Sequence, residues 1–196
     1  MTVAQKLTPW ETYQAVPSDR VAELIDGRVF AHAKPALPHQ EVASQISTFL
    51  KTNFQNRRTE GEGPGGWIIM PEVELELLTY VRHFAPDLCG WRRERMPKVP
   101  RQARGKISPD WVCEVVSPSD TSRTEALQLK IPIYAESGVP HLWIAHPLDR
   151  DLQAFELIAG AWVLLGTWTY VDTARIPPFD ATEFALGRVW EDIEDL

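Results

Sequence analysis

The chain has 196 residues, 44% of them hydrophobic and 24% charged, with a net charge of −7. Such a length fits a single domain, 1–196, with a real core, and the composition is that of an ordinary globular protein. No apolar run reaches the roughly 18 residues that would span a bilayer, the acidity disfavours general charge-driven binding to nucleic acid, and an N-terminus without the layout of a secretory signal makes the cytoplasm the expected location.

Thr8-Pro9-Trp10-Glu11 reads as a helix start, with a threonine cap, proline at the first position and an acid in the first turn. Pro17 should stop that helix. A short second helix is expected from about Asp19 to Leu24, before Asp26-Gly27. Residues 28–32 read as a strand. Pro38-His39 opens a long amphipathic helix to about Asn56, in which Val42, Ile46, Phe49, Leu50 and Phe54 recur at three- and four-residue spacing. Residues 61–66, rich in glycine, should form a turn rather than a phosphate loop, because a strand and not a helix follows. That strand is expected over 67–78, with Glu72, Glu74 and Glu76 on its wet face.

Two apolar strands follow, at about 86–91 and 111–117. Their cysteines, Cys89 and Cys113, are the only two of the chain and read as small core hydrophobes. A helix should run over 121–137, capped by Ser119 or Asp120, kinked or broken at Pro132 and ended by Gly138. Strands are expected over 141–146, 152–158 and 162–170, the last two in a meander. The acidic C-terminus, including Asp195, is expected to fray.

The stretch Pro109-Asp110-Trp111-Val112-Cys113-Glu114-Val115-Val116 carries the strongest chemical signal. Glu114 stands in a β-branched, apolar strand, where a carboxylate is costly unless something pairs with it. Asp87 stands in a similar setting. If the two strands pair, the carboxylates lie within reach of one divalent cation, since neighbouring strands are about 4.8 Å apart. Asp110 shares the parity of Glu114 but is roughly 13 Å away along the strand. Magnesium suits such a site because it takes one or two carboxylates and keeps several waters. On the next helix Leu127, Lys130, Ile131 and Tyr134 fall on one face. That face turns Lys130 inward as a catalytic group, unless the side chain snorkels past its own stem. Two strand carboxylates and a lysine are the working parts of metal-assisted phosphodiester hydrolysis. The five histidines show no metal-ligand spacing.

Between residues 92 and 106 seven bases stand against one acid. Arg92, Arg93, Arg101, Arg104 and Lys106 form either a solvated loop or a surface for backbone phosphates.

Taken in order, several segments resemble the Uma-type family of restriction endonucleases within the PD-(D/E)XK nuclease superfamily. They are Glu23-Leu24-Ile25-Asp26-Gly27, His39, Gly65-Gly66-Trp67, Pro86-Asp87-Leu88-Cys89-Gly90-Trp91-Arg92, the 109–119 stretch, Lys130-Ile131-Pro132-Ile133-Tyr134-Ala135, Gly138-Val139-Pro140 and His141-Leu142-Trp143-Ile144-Ala145-His146-Pro147. The resemblance implies an α/β fold with a restriction-endonuclease-like core, a mixed central β-sheet flanked by helices. It implies Asp87 and Glu114 as metal-binding acids for Mg²⁺ or Mn²⁺, with the Val115 carbonyl as a further ligand. Position 116 is Val where the superfamily motif has lysine, and Lys130 fits the family's lysine from the following helix. Glu23 matches an acid of the first core helix that assists the metal site; a surface or capping role is the alternative. The expected function is a metal-dependent endonuclease acting on double-stranded DNA. Its rivals are a nuclease-fold protein that binds nucleic acid or protein without catalysis, and a structural homo-oligomer with tryptophans at its interface.

Overall fold

The computed structural model describes residues 7–55, 65–78, 82–117, 120–170 and 173–194. Asn56, residues 61–64, Ser119 and Asp195, on which expectations fell, lie outside the described residues.

The first helix, α1 (Pro9–Gln14), forms as the sequence dictates: the Thr8 side chain accepts from the Glu11 amide, and Glu11 reaches back to the Thr8 amide. The next segment is a correction. Residues expected to be helical form β1 (Val21–Ile25), which pairs antiparallel with β2 (Arg28–His32). Asp26 and Gly27 both take positive φ, 48° and 78°, which suits a two-residue hairpin turn. The hairpin outweighs any helical tendency of the segment.

Helix α2 (Leu37–Leu50) buries Val42, Ile46 and Leu50 and runs into a wide π turn over Lys51–Gln55. The long strand expected over 67–78 is two strands in different sheets, β3 (Trp67–Pro71) and β4 (Leu75–Glu76). The chain turns between them at Glu72, whose φ is 48°. Glu72 is exposed, but Glu74 and Glu76 are half-buried and meet bases instead of water alone.

The smaller sheet has the order β2-β1-β5-β4, with β5 at His83–Phe84. The larger is six-stranded and mixed. Its order is β10-β9-β8-β7-β6-β3, where β6 is Leu88–Arg92, β7 Trp111–Val115, β8 His141–His146, β9 Asp151–Ile158 and β10 Ala161–Trp168. Only β7 and β8 pair in parallel; helix α3 (Thr121–Glu136) makes the crossover between them. Asp120 caps α3 by accepting from the Ser122 and Arg123 amides. Pro132 neither breaks nor ends this helix. It is exposed and leaves only one carbonyl of the preceding turn without its donor.

At its central strands the large sheet is covered on each face, while β10 is mostly exposed. Trp111, Cys113, Val115 and Trp143 face α2 and the C-terminal segment with α4 (Gly187–Trp190). Val112, Leu142 and Ile144 face α3 and the smaller sheet. The C-terminal segment is no frayed tail up to Ile193: Phe179, Phe184 and Trp190 are buried. Phe179 lies 4.7 Å, 5.1 Å and 5.5 Å from the rings of Trp67, Trp111 and Trp143, and those last two indoles cross at 85°. Five of the eight tryptophans are thus core residues, at most 3% exposed, and build no interface. Gly90 leaves room for this cluster, since a Cβ there would press on the Trp111 and Trp67 rings at 3.3 Å. Among the described residues no helix is long and apolar enough to cross a membrane.

Candidate active site

β6 and β7 pair antiparallel with Leu88 opposite Cys113. One further step sets Asp87 opposite Glu114, at the end of the sheet where β7 finishes. Alternation along β7 turns Glu114 toward α3 rather than toward the tryptophan side. From α3 come Lys130 and Tyr134, one helical turn apart on the same face. From β1 comes Glu23. Glu23, Asp87, Glu114, Val115 and Lys130 line one cavity of about 20 Å³, large enough for a single water-sized occupant.

Lys130 does not snorkel. It is 6% exposed, and its Nζ lies 2.9 Å from Glu114 Oε1 and 3.2 Å from Glu23 Oε1. The Tyr134 hydroxyl donates to Glu114 Oε1 at 2.5 Å. Glu23 is buried too, at 2.9 Å from His32 Nε2 through its other oxygen. It stands on a strand and not on a helix or at the surface. Asp87 accepts the Val115 amide at 2.7 Å through Oδ2, and its Oδ1 meets His39 Nε2 at 2.9 Å. The other ring nitrogen of His39 is 3.0 Å from Ser117 Oγ.

The charges are strongly coupled to this burial. Burial would raise the Glu23 carboxyl, but Lys130 and His32 outweigh it and hold the group at about 2. Burial lifts Glu114 to about 7 against the pull of Lys130, and the nearby Asp87 and Glu23 add to the rise. Lys130 would be lowered by burial, yet Glu114, Glu23 and Asp87 raise it above the ordinary lysine range. The lysine therefore stays an ammonium, and Glu114 is the acid whose proton is exchangeable near neutrality.

Among the described residues no group of three or more His, Cys, Asp or Glu side chains forms a ready-made metal cage. The donor set nonetheless suits a hard divalent cation that needs only one or two carboxylates and keeps its waters. Asp87 and Glu114 offer carboxylate oxygens with lone pairs left beyond their present partners, and Val115 lines the same wall.

The basic residues are not brought to this cavity. Arg92 ends β6, and is roughly 16 Å along the strand from Asp87. It stacks over Trp67, while Arg93 donates to the Gln55 carbonyl. Arg104 meets Glu74 at 2.8 Å and Lys106 meets Glu76 at 3.5 Å. Arg101 is exposed. Asp110 sits at that far end as well, accepting from the Arg92 amide and from Arg95, both at 2.8 Å.

Sequence reasoning assigns no site role to four supporting groups: His32, His39, Ser117 and Tyr134. The histidines serve as partners of carboxylates, so metal-ligand spacing could not reveal them. Tyr134 had a signal, its place one turn from Lys130, which reads equally well as plain apolar packing.

A family model described as "Uma2: Putative restriction endonuclease" matches residues 10–186. A solved structure, described as "a putative nuclease belonging to DUF820" from Anabaena variabilis ATCC 29413, matches at a TM-score of 0.70 with 16% identity, covering 95% of this chain and 98% of that one. At that identity the likeness concerns the fold. No curated protein matches the chain. The family match spans all the elements that build the cavity, and the chain belongs to the Uma2 family.

Proposed function

We propose that this protein is a metal-dependent endonuclease that hydrolyses phosphodiester bonds of double-stranded DNA, with Asp87, Glu114 and the Val115 carbonyl holding Mg²⁺ or Mn²⁺. The observation that carries this reading is the convergence of Glu23, Asp87, Glu114 and Lys130 on one cavity, from a strand, a loop end, a second strand and a helix. A bound divalent ion would neutralise charge on the phosphate and lower the pKa of an attacking water. Lys130, kept protonated by its carboxylates, donates to that water or to the phosphate oxygens as charge builds there. It cannot act as the base. Glu114 and Glu23 fix the ammonium from its two sides. His39 holds the Asp87 carboxylate in place, a role that partners of metal ligands commonly have.

Incubation of supercoiled plasmid with the protein in Mg²⁺ and in EDTA tests the reading. Nicking in Mg²⁺ that EDTA and Asp87→Asn both abolish is expected; an intact plasmid under both conditions overturns it. One observation favours a second reading, a nuclease-fold binding protein without catalysis. Lys130 already supplies Glu23 and Glu114 with a cation. Isothermal titration separates the two, because a site satisfied by its own lysine binds no Mg²⁺.

A further inference from the structure

Two open grooves meet at the carboxylate cavity. One, about 670 Å³, is bordered by Lys34, Ser117, Thr121, Ser122 and Arg123. The other, about 390 Å³, runs along α2 past Gln40, Ser44, Ser47, Thr48 and Lys51 to Asp87. Ser117 and Arg123 border both the first groove and the cavity, Asp87 both the second and the cavity, and Pro35 both grooves. The three spaces form one trough with the carboxylates at its middle.

The α2 wall of this trough is unusual for a chain of net charge −7. Gln40, Ser44, Ser47, Thr48 and Lys51 recur at three- and four-residue steps on one face, and none is acidic. Glu41, the only acid of α2, accepts from Gln45 at 2.6 Å. From Gln40 to Lys51, just past the end of α2, that wall is about 17 Å long. It presents hydroxyl and amide donors and ends in a lysine, while Lys34 precedes the helix. Acids on the trough are mostly engaged: Asp120 caps α3, and Glu125 pairs with Arg28 at 3.6 Å. Glu72 stands on the opposite rim. The basic segment at 92–106 lies instead at the other end of β6 from Asp87, whereas Arg123, which donates to the Ala33 carbonyl and faces Asp120 at 3.8 Å, borders the cavity itself.

We infer that a phosphodiester strand lies along this trough, held by Lys34 and Arg123 on one side of the cavity and by the Ser44, Thr48 and Lys51 face of α2 on the other, rather than along the basic segment. The inference rests on the nuclease reading and specifies where its substrate runs.

Fluorescence anisotropy with a labelled DNA oligonucleotide, single-stranded and as a duplex, tests it, with Ca²⁺ replacing Mg²⁺. Ser44→Asp with Lys51→Glu should weaken binding of both probes about tenfold and flatten the log-affinity against log-salt slope by about one. Thr48→Lys, at an exposed position, should strengthen binding and steepen the slope, which guards against a loss caused by misfolding. The triple variant Arg101→Ala, Arg104→Ala, Lys106→Ala should bind like wild type. Unchanged binding in both α2 variants, or a loss confined to the triple variant, overturns the trough while leaving the nuclease reading intact. A wild-type protein that binds neither probe and cuts no plasmid overturns the nuclease reading itself, and the trough with it.

Discussion

Lys130 Nζ stands 2.9 Å from Glu114 Oε1, a contact between a helix and a strand in which both side chains are buried. A second carboxylate, Glu23, flanks the same ammonium at 3.2 Å. The lysine thereby does two jobs, holding two acids together and presenting a fixed positive charge to the cavity. These can be separated experimentally.

Lys130→Met keeps most of the stem but leaves two buried carboxylates facing each other. Loss of about 3–5 kcal/mol of stability is expected, as when one partner of a buried pair is removed. Cleavage in Mg²⁺ should fall by about two to three orders of magnitude, as when one electrostatic donor is lost. Adding Glu23→Gln removes the repulsion. The double variant should regain much of the melting temperature and none of the activity. A double variant that cuts as fast as wild type would reduce Lys130 to a structural counter-ion.

Stability should depend on pH with opposite signs from two neighbouring acids. Glu23, lowered from 4.5 to about 2, contributes stability that is present above pH 4.5 and lost as pH falls toward 2. Glu114 is raised from 4.5 to about 7, so the folded chain binds more protons than the unfolded one between those values, and stability declines as pH rises through that window. Without metal, the stability contributed by these two acids together should therefore be greatest near pH 4.5. Saturating Mg²⁺ favours the ionised Glu114 and should flatten the decline toward pH 7. Melting curves at stepped pH, with Mg²⁺ and with EDTA, are the check; superimposable curves would sink the metal assignment.

Tyr134→Phe removes the 2.5 Å hydrogen bond to Glu114. A bond to a charged group is worth about 1.5–3 kcal/mol. Without it the Glu114 carboxyl should rise further, and half-maximal Mg²⁺ binding should move to higher pH. Calorimetry at several pH values reads this directly. An unmoved midpoint would mean that the phenol serves packing alone.

His39→Ala should weaken Mg²⁺ binding about 10–100-fold, the usual cost of losing a partner that orients a metal-binding carboxylate. His39→Gln retains a donor that can reach Asp87 and should recover part of the affinity. A structural role alone predicts lower stability in both variants and no difference between them in metal affinity.

Asp110→Ala provides the contrast. Its carboxylate holds the Arg92 amide and Arg95 at the far end of β6. About 1–3 kcal/mol of stability should be lost, since the Arg92 amide is left without its acceptor. Affinity for Mg²⁺ should stay at the wild-type value, and a matching loss there would make Asp110 part of the metal site.

The strand carboxylates and the inward lysine were legible because their signals are local. A lone acid in a β-branched run, and a lysine on an apolar helix face, are visible within ten residues. The segment from Asp19 to Leu24 reads as a helix in isolation because its strand state depends on the hairpin turn at Asp26-Gly27 and on pairing with β2. The partition of 67–78 between two sheets turns on a single backbone reversal at Glu72, which a continuous alternation of acids and aliphatics conceals. His39 meets Asp87 across 48 positions of sequence, a pairing no periodicity encodes. The C-terminal segment carries little regular structure, so only the fold reveals that Phe179 and Trp190 complete the core.

Trp111 and Trp143 give the protein an internal optical gauge. Their rings are 5.3 Å apart and cross at 85°, on the two parallel strands, β7 and β8. Indoles held this close and this rigidly couple their excited states, and the resulting circular-dichroism couplet depends on separation and angle. β7 also carries Glu114, so a ligand that shifts that strand against its neighbour alters the couplet. The natural chromophores thus report movement beneath the site without a label or an added tryptophan.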